Sequence, residues 1–373
     1  MSTVPEFPDR IPTEQTEARL YELKREAQRR GQVSALGIRP PGAPFPQASP
    51  ETGYYGIPML KQPQWTWQVP LYFFVGGAAG SAGVIGAVAD LIGDDYELAR
   101  HARWLALGGA AASSGLLVWD LGRPSRFLNM LRVFKPQSAM SMGAWILTAF
   151  ANFAAAASFA DFLEARFGKS LPVSVLGGIG RLGSAAFGLP FHNYTGVLIG
   201  ATAVPLWNHH IKELPQHFGM SGLQAAVSLL ELIGHSDSTA LNMLGLLAAG
   251  METREGFRIE LDRDRTLDPL KHGPSGWITR LGGALSGPVP LALRLLGWRS
   301  SQMRRWAAIS GIAGSIITRV AWLEAGKASA RDWRLPLEIQ GREQNVEQFP
   351  EQRQPFRDID ETSVIGKRLA DHR

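Results

Sequence analysis

Long apolar runs separated by short polar steps fill the middle of the chain, and both ends are polar. Each run is about 20 residues long, the length a helix needs to cross a bilayer core of about 30 Å. The pattern predicts helices over Val69–Ile92, Ala102–Trp119, Met140–Phe162, Leu182–Trp207 and Leu214–Ile233. A sixth starts near Thr239, with an apolar part that stops short at Met251, and Trp277–Leu296 and Trp306–Ala325 follow. The expected fold is an all-α integral membrane protein. A bundle of about eight transmembrane helices spans residues 69–326, between a polar N-terminal extension (1–68) and a polar C-terminal tail (327–373).

Within the extension, residues 12–31 read as a short solvated helix that Thr13 caps and Gly31 ends. Residues 38–50 are rich in Pro and Gly and read as an extended linker. Tyr54, Tyr55, Trp65 and Trp67 then suit a membrane interface, where a ring is half wet. The charged start of the chain does not read as a cleavable signal peptide, so the first apolar helix is expected to direct insertion.

Composition sharpens this picture. Charged residues are only 19% of the 373, and Gly reaches 41. Small residues recur four apart, as at Gly76 and Gly80 in "GGAAGSAGVIG", and let helix backbones approach closely. The chain has no cysteine, which excludes disulfides, thiolate-held iron–sulfur clusters and covalently attached haem. The formal charge of +5 is spread out and suggests no nucleic-acid partner.

Polar groups inside a membrane are costly, so each needs a reason. The densest set is "FHNYTG" in the fourth helix. On a regular helix His192 shares a face with Thr195 and Ile199, while Tyr194 points about 200° away. Pro190 is positioned to deform the helix. Asp120, at a helix C-terminus, opposes the helix dipole and invites a functional role or a salt bridge within its own turn. Asp90 is expected to be solvated at the end of the first helix. Glu231 closes the fifth, and Arg319 is expected to meet an acid on another helix or to snorkel. Trp65, Trp67, Tyr72, Asp120 and Tyr194 together suit a quinone head group, which needs hydrogen bonds at its carbonyls, an apolar wall and a proton route.

The stretches "YYGIPMLKQPQWTWQVPLYFFVGGAAGSA", "WDLGRPSRFLNMLRVFKPQSAMSMGAWIL" and "YTGVLIGATAVPLWN" resemble the NrfD/polysulfide reductase membrane-subunit family. The resemblance runs from about Tyr54 to Gly326 and is weakest in the fifth and sixth helices. It implies an eight-helix bundle in the bacterial cytoplasmic membrane that holds no redox metal. Such a subunit binds menaquinone or ubiquinone and exchanges electrons with a docked iron–sulfur protein, often within a molybdopterin oxidoreductase. The family's quinone site falls on Tyr72 and Tyr194. Val69 departs from the polar residue expected there, which brings in Gln68 beside Trp67 and His192. Asp120, Glu231, Arg319 and Asp90 become proton-transfer candidates, and Arg123, Arg126 and Arg132 candidates for docking the partner or for gripping lipid phosphates.

Other readings are a secondary transporter, which should show inverted repeats, and a membrane anchor without a quinone site. A haem held by two His is disfavoured because His192 is the single deep histidine in the pattern.

Overall fold

A computed structural model describes residues 21, 22, 25, 60–93, 95–121, 123–332, 335 and 336. The linker over 38–50 and the tyrosines at 54 and 55 lie outside the described residues, as does most of 12–31. Among the described residues all regular structure is helical. The helices are α1 (Gln68–Ile92), α2 (Tyr96–Asp120), α3 (Ala139–Phe167), α4 (Leu171–Gly200), α5 (Pro205–His209), α6 (Leu214–Leu230), α7 (Thr239–Leu261), α8 (Asp268–Lys271), α9 (Gly273–Ser286), α10 (Pro288–Leu296) and α11 (Ser301–Arg331).

Local chemistry sets the helix ends. Gly93 stops α1 in the left-handed conformation at φ 85°. The Asp95 carboxylate then accepts from the Leu98 N–H at 2.9 Å and starts α2 a full turn before the expected Ala102. Ser138 caps α3. The fourth segment is not one helix to Trp207. Pro190 lies inside α4 without breaking it, whereas Val204 is extended ahead of Pro205, and the chain restarts as α5. A proline disfavours helical geometry in the residue before it, which accounts for this break. The fifth segment ends in a π-helical turn, Glu231–His235, that bends at Gly234 (φ 144°). Pro288 divides the expected seventh helix into α9 and α10.

Among the described residues three helices are long and apolar enough to cross a membrane: α1, α3 and α11. α2 joins them if it is counted with the sharply bent Ser125–Leu131 turn as one broken span. The others fail on polarity or on length once broken. The chain is thus a helical membrane protein with several apolar helices.

α1 is the centre of the bundle, packed on α2, α4, α6 and α11. Contacts define two ends. Thr66 meets Asp120 and Trp207 meets Trp322 at one, which we call the Asp120 end. His101 meets His235 and Arg304 meets Asp237 at the other, the His235 end. Backbones touch where both helices carry glycine. A methyl group on Gly222 would sit 2.9 Å from the Gly77 carbonyl oxygen, and one on Gly188 would sit 2.6 Å from that of Gly80. Gly222→Val is therefore expected to lower stability by about 1–3 kcal/mol through overpacking, read as a lower unfolding temperature of the purified protein in detergent.

Candidate functional site

At the Asp120 end the chain enters α1 through an aromatic and polar cluster. Thr66 Oγ1 donates to Asp120 at 3.3 Å and also meets Gln68. The rings of Trp67 and Trp119 lie edge to face at 5.9 Å, both largely exposed. Trp65 stacks on Trp207 at 5.1 Å, and Trp207 donates to the Trp322 carbonyl at 2.9 Å. Tyr72 is one turn further in and is buried. Tyr194 is its electrostatic neighbour and packs against Gly143 near the start of α3, where any side chain would strike the phenol. The Tyr194 hydroxyl makes no side-chain hydrogen bond and has only the Gly143 backbone for a polar neighbour, and the buried Ser113 hydroxyl beside Gly76 has no partner. Buried hydroxyls are nearly always paired, so two left this way at one end of the bundle are informative.

The structure thus brings Trp67, Gln68, Tyr72, Tyr194 and Asp120 to one end. His192 does not join them. It points to the other side of α4, towards Gly80 and Gly219, and lines an apolar cavity of about 320 Å³ with Ser81, Leu241 and Leu244. The helical periodicity anticipates this divergence, and α4 stays regular through Pro190.

The other candidates lie elsewhere. Asp90 is not solvated: Arg103 pairs with both Asp90 and Asp161, and Arg181 lies 3.5 Å from Asp90 and 3.3 Å from Asp161. Two carboxylates on separate helices need this cationic bridge to be buried together. Glu231 forms a two-pronged pair with Arg294 at 2.6 and 2.7 Å, both side chains fully buried. Arg319 neither snorkels nor meets a carboxylate directly. Its guanidinium donates to Ser221 at 2.6 Å, to the Ser315 hydroxyl and to the Ser315 carbonyl at 2.9 Å. It also lies over the Phe74 and Phe218 rings at 5.9 and 5.7 Å. Hydroxyls, carbonyls and aromatic faces replace the expected acid.

Arg123, Arg126 and Arg132 are exposed around a 3-10 turn, Pro124–Leu131, that also exposes Leu128, Val133 and Phe134. On the same end, the buried His210 meets Thr266 at 3.0 Å. Burial, joined by the neighbouring His209, holds its imidazole below the ordinary histidine range.

Sequence reasoning missed Arg103, Asp161, Arg181, His217, Glu252 and Arg294. It also missed a seam along α6: His217, Ser221, Gln224, Ser228 and Glu231 are all buried and recur at steps of four and three. That spacing puts them on one helical face, towards α11, and was present in the sequence as a polar stripe. Among the described residues no group of His, Cys, Asp and Glu could hold a metal ion.

An all-helical membrane bundle with paired phenols and an acid at one end defines the class: a multi-pass membrane protein with a buried polar site. A family model described as "Polysulphide reductase, NrfD" matches residues 57–247, and the chain belongs to this family, that of membrane subunits of respiratory oxidoreductases. The matched span includes the Asp120 cluster, Tyr72 and Tyr194 and ends within α7. No curated protein matches the chain.

Removing one partner of a fully buried ion pair leaves an uncompensated charge. Glu231→Met alone is expected to lower stability by about 3–5 kcal/mol, and Glu231→Met with Arg294→Met to recover most of that loss. Thermal unfolding of the two variants beside the parent protein checks this.

Proposed function

We propose that the chain binds a quinone or quinol between Tyr72 and Tyr194 and exchanges electrons between the membrane quinone pool and a docked iron–sulfur subunit. The observation that carries the proposal is the Tyr194 hydroxyl, buried beside Tyr72 at the end of the bundle that holds Asp120, with no side-chain partner and only the Gly143 backbone near it. A phenol donates to a quinone carbonyl or accepts from a quinol hydroxyl, so a bound head group completes its hydrogen bonding. Phe73 lies beside Tyr72 at 5.8 Å, and Gln68 and Trp67 stand one turn nearer the end of the bundle. Menaquinone and ubiquinone both fit this donor set. The ligand supplies the two-electron chemistry when bound; the chain holds its head, excludes water and takes up or releases its protons.

Asp120 is the proton-handling group of this proposal. It is exposed and within reach of Thr66 and Gln68. Asp90 and Glu231 are committed to ion pairs, and Arg319 is fixed by hydroxyls deep in the bundle. His192, on the opposite face of α4, lines a separate apolar cavity and takes no part in this pocket. Arg123, Arg126 and Arg132 complete the same end as a cationic rim for an acidic iron–sulfur partner, beyond which a molybdopterin subunit would sit. The exposed Leu128, Val133 and Phe134 among them favour a loop that also rests on the bilayer surface. The setting is the bacterial cytoplasmic membrane, with the broken segments α4–α5 and α9–α10 completing a set of eight spans.

Two results test the proposal. A fluorescent quinol analogue is expected to bind the purified protein saturably, and Tyr194→Phe to weaken binding about fivefold, the worth of one hydrogen bond. Asp120→Asn is expected to leave that binding within about twofold while slowing quinol oxidation by the assembled complex roughly 100-fold, as for loss of a proton-transfer group. Absence of saturable binding to folded protein would favour an anchor, and full activity in Asp120→Asn would remove the proton role.

A further inference from the structure

A second cavity, of about 220 Å³, lies between α7, α9 and α11, largely beyond the family-matched residues. Its walls include Phe257, Ile259, Ala284, Pro288 and Trp322. Three side chains in that wall keep a buried polar atom without a partner: His217 Nδ1, Glu252 Oε1 and Thr318 Oγ1. Their residues are 8, 3 and 5% exposed. Orphan polar atoms are uncommon, and convergence of several on one cavity points to a missing hydrogen-bonding group. A single water would satisfy these atoms but leave most of a cavity of about 220 Å³, walled mainly by hydrocarbon, unfilled.

The hydrogen bonds already made dictate what the missing group must be. Trp322 Nε1–H, which can only donate, gives its proton to His217 Nε2 at 3.0 Å. His217 therefore keeps Nε2 free of a proton, and its neutral ring offers Nδ1–H as a donor. Glu252 uses Oε2 to accept from Ser286 at 3.0 Å and leaves Oε1 as an acceptor. Nδ1 and Oε1 are 3.5 Å apart, too far and too poorly aligned to satisfy each other. An oxygen seated between them must accept from one and donate to the other. A hydroxyl does both; a ketone lacks the donor, and an ammonium lacks the acceptor.

Phe257 and Trp322 give the wall aromatic faces on which a ring can stack, and the rim includes the exposed Phe257 and Pro288, past which an apolar tail can leave. We propose that this cavity is a second binding site, selective for the hydroxylated ring of a quinol over the oxidised quinone. It is separate from the Tyr72 and Tyr194 pocket and does not require it.

The test is photoaffinity labelling of the full chain in nanodiscs with an azido-quinol, followed by peptide mapping. Label is expected in 249–261 and 277–288, displaced by unlabelled quinol but not by its dimethyl ether. The control is Gly283→Leu. A Cβ there meets nothing within 4 Å, so the new side chain fills the cavity without disturbing the fold. It should reduce label in these segments at least tenfold and leave any label on α1 and α4 unchanged. Glu252→Leu should reduce it likewise.

Three results would overturn the proposal: no label in these segments of the parent protein, label that survives Gly283→Leu, or displacement by phosphatidylglycerol and not by quinol. Loss of label from α1 and α4 alone would instead count against the Tyr72 and Tyr194 pocket and leave this site standing.

Discussion

Backbone contact between α1 and its neighbours sets the geometry of everything else in the bundle. At Gly77–Gly222 and Gly80–Gly188 there is no side chain between the helices, so α1 sits deeper than ordinary packing allows. Lipid gives helices little hydrophobic reason to associate, and this close approach replaces it with van der Waals contact. It has a second effect. With α6 drawn against α1 at Gly222, the polar face of α6 lies next to α11, and α4, drawn in at Gly188, turns Tyr194 towards α3 and His192 towards α6.

The buried polar groups follow one rule with two outcomes. Where both charges are present and geometry is good, they lock elements together: Glu231 with Arg294 at the bend after α6, and Arg103 between Asp90 and Asp161. Such clamps fix arrangement more than they add stability. Elsewhere polar atoms are left over, and those of His217 and Glu252 belong to residues that line one cavity. The clamps gather towards the His235 end, and these two unpaired groups lie in the Asp120 half.

Much of this was legible in the sequence. The all-helical, membrane-type character and the shared end of Trp67, Tyr72 and Asp120 follow from run length and spacing, whereas three or four of the eight expected spans are long and apolar enough among the described residues. The divergence of His192 from Tyr194 was legible too, and needs only the angle per residue. The helix breaks were harder. Pro190 and Pro205 look alike in sequence, yet α4 absorbs the first and ends before the second. Partners were harder still. Asp90 looked solvated because Asp161 and Arg181 lie 71 and 91 residues away, and no local pattern announces that Arg103 joins them. Arg319 was expected to find an acid because charge usually does; aromatic faces and serine hydroxyls give no such signal. The α6 stripe was visible at steps of four and three but was hidden among the small and apolar residues between.

Arg319 sits partway along that stripe, between His217 on one side and Gln224 and Ser228 on the other. A row of buried hydroxyls and amides through a membrane protein is an invitation to leakage, since protons hop readily between such groups. A fixed guanidinium in the middle of the row repels any cation that enters. The same residue that lacks a carboxylate partner thus sets a fixed positive charge, an electrostatic barrier to cations, in the middle of the bundle's polar interior.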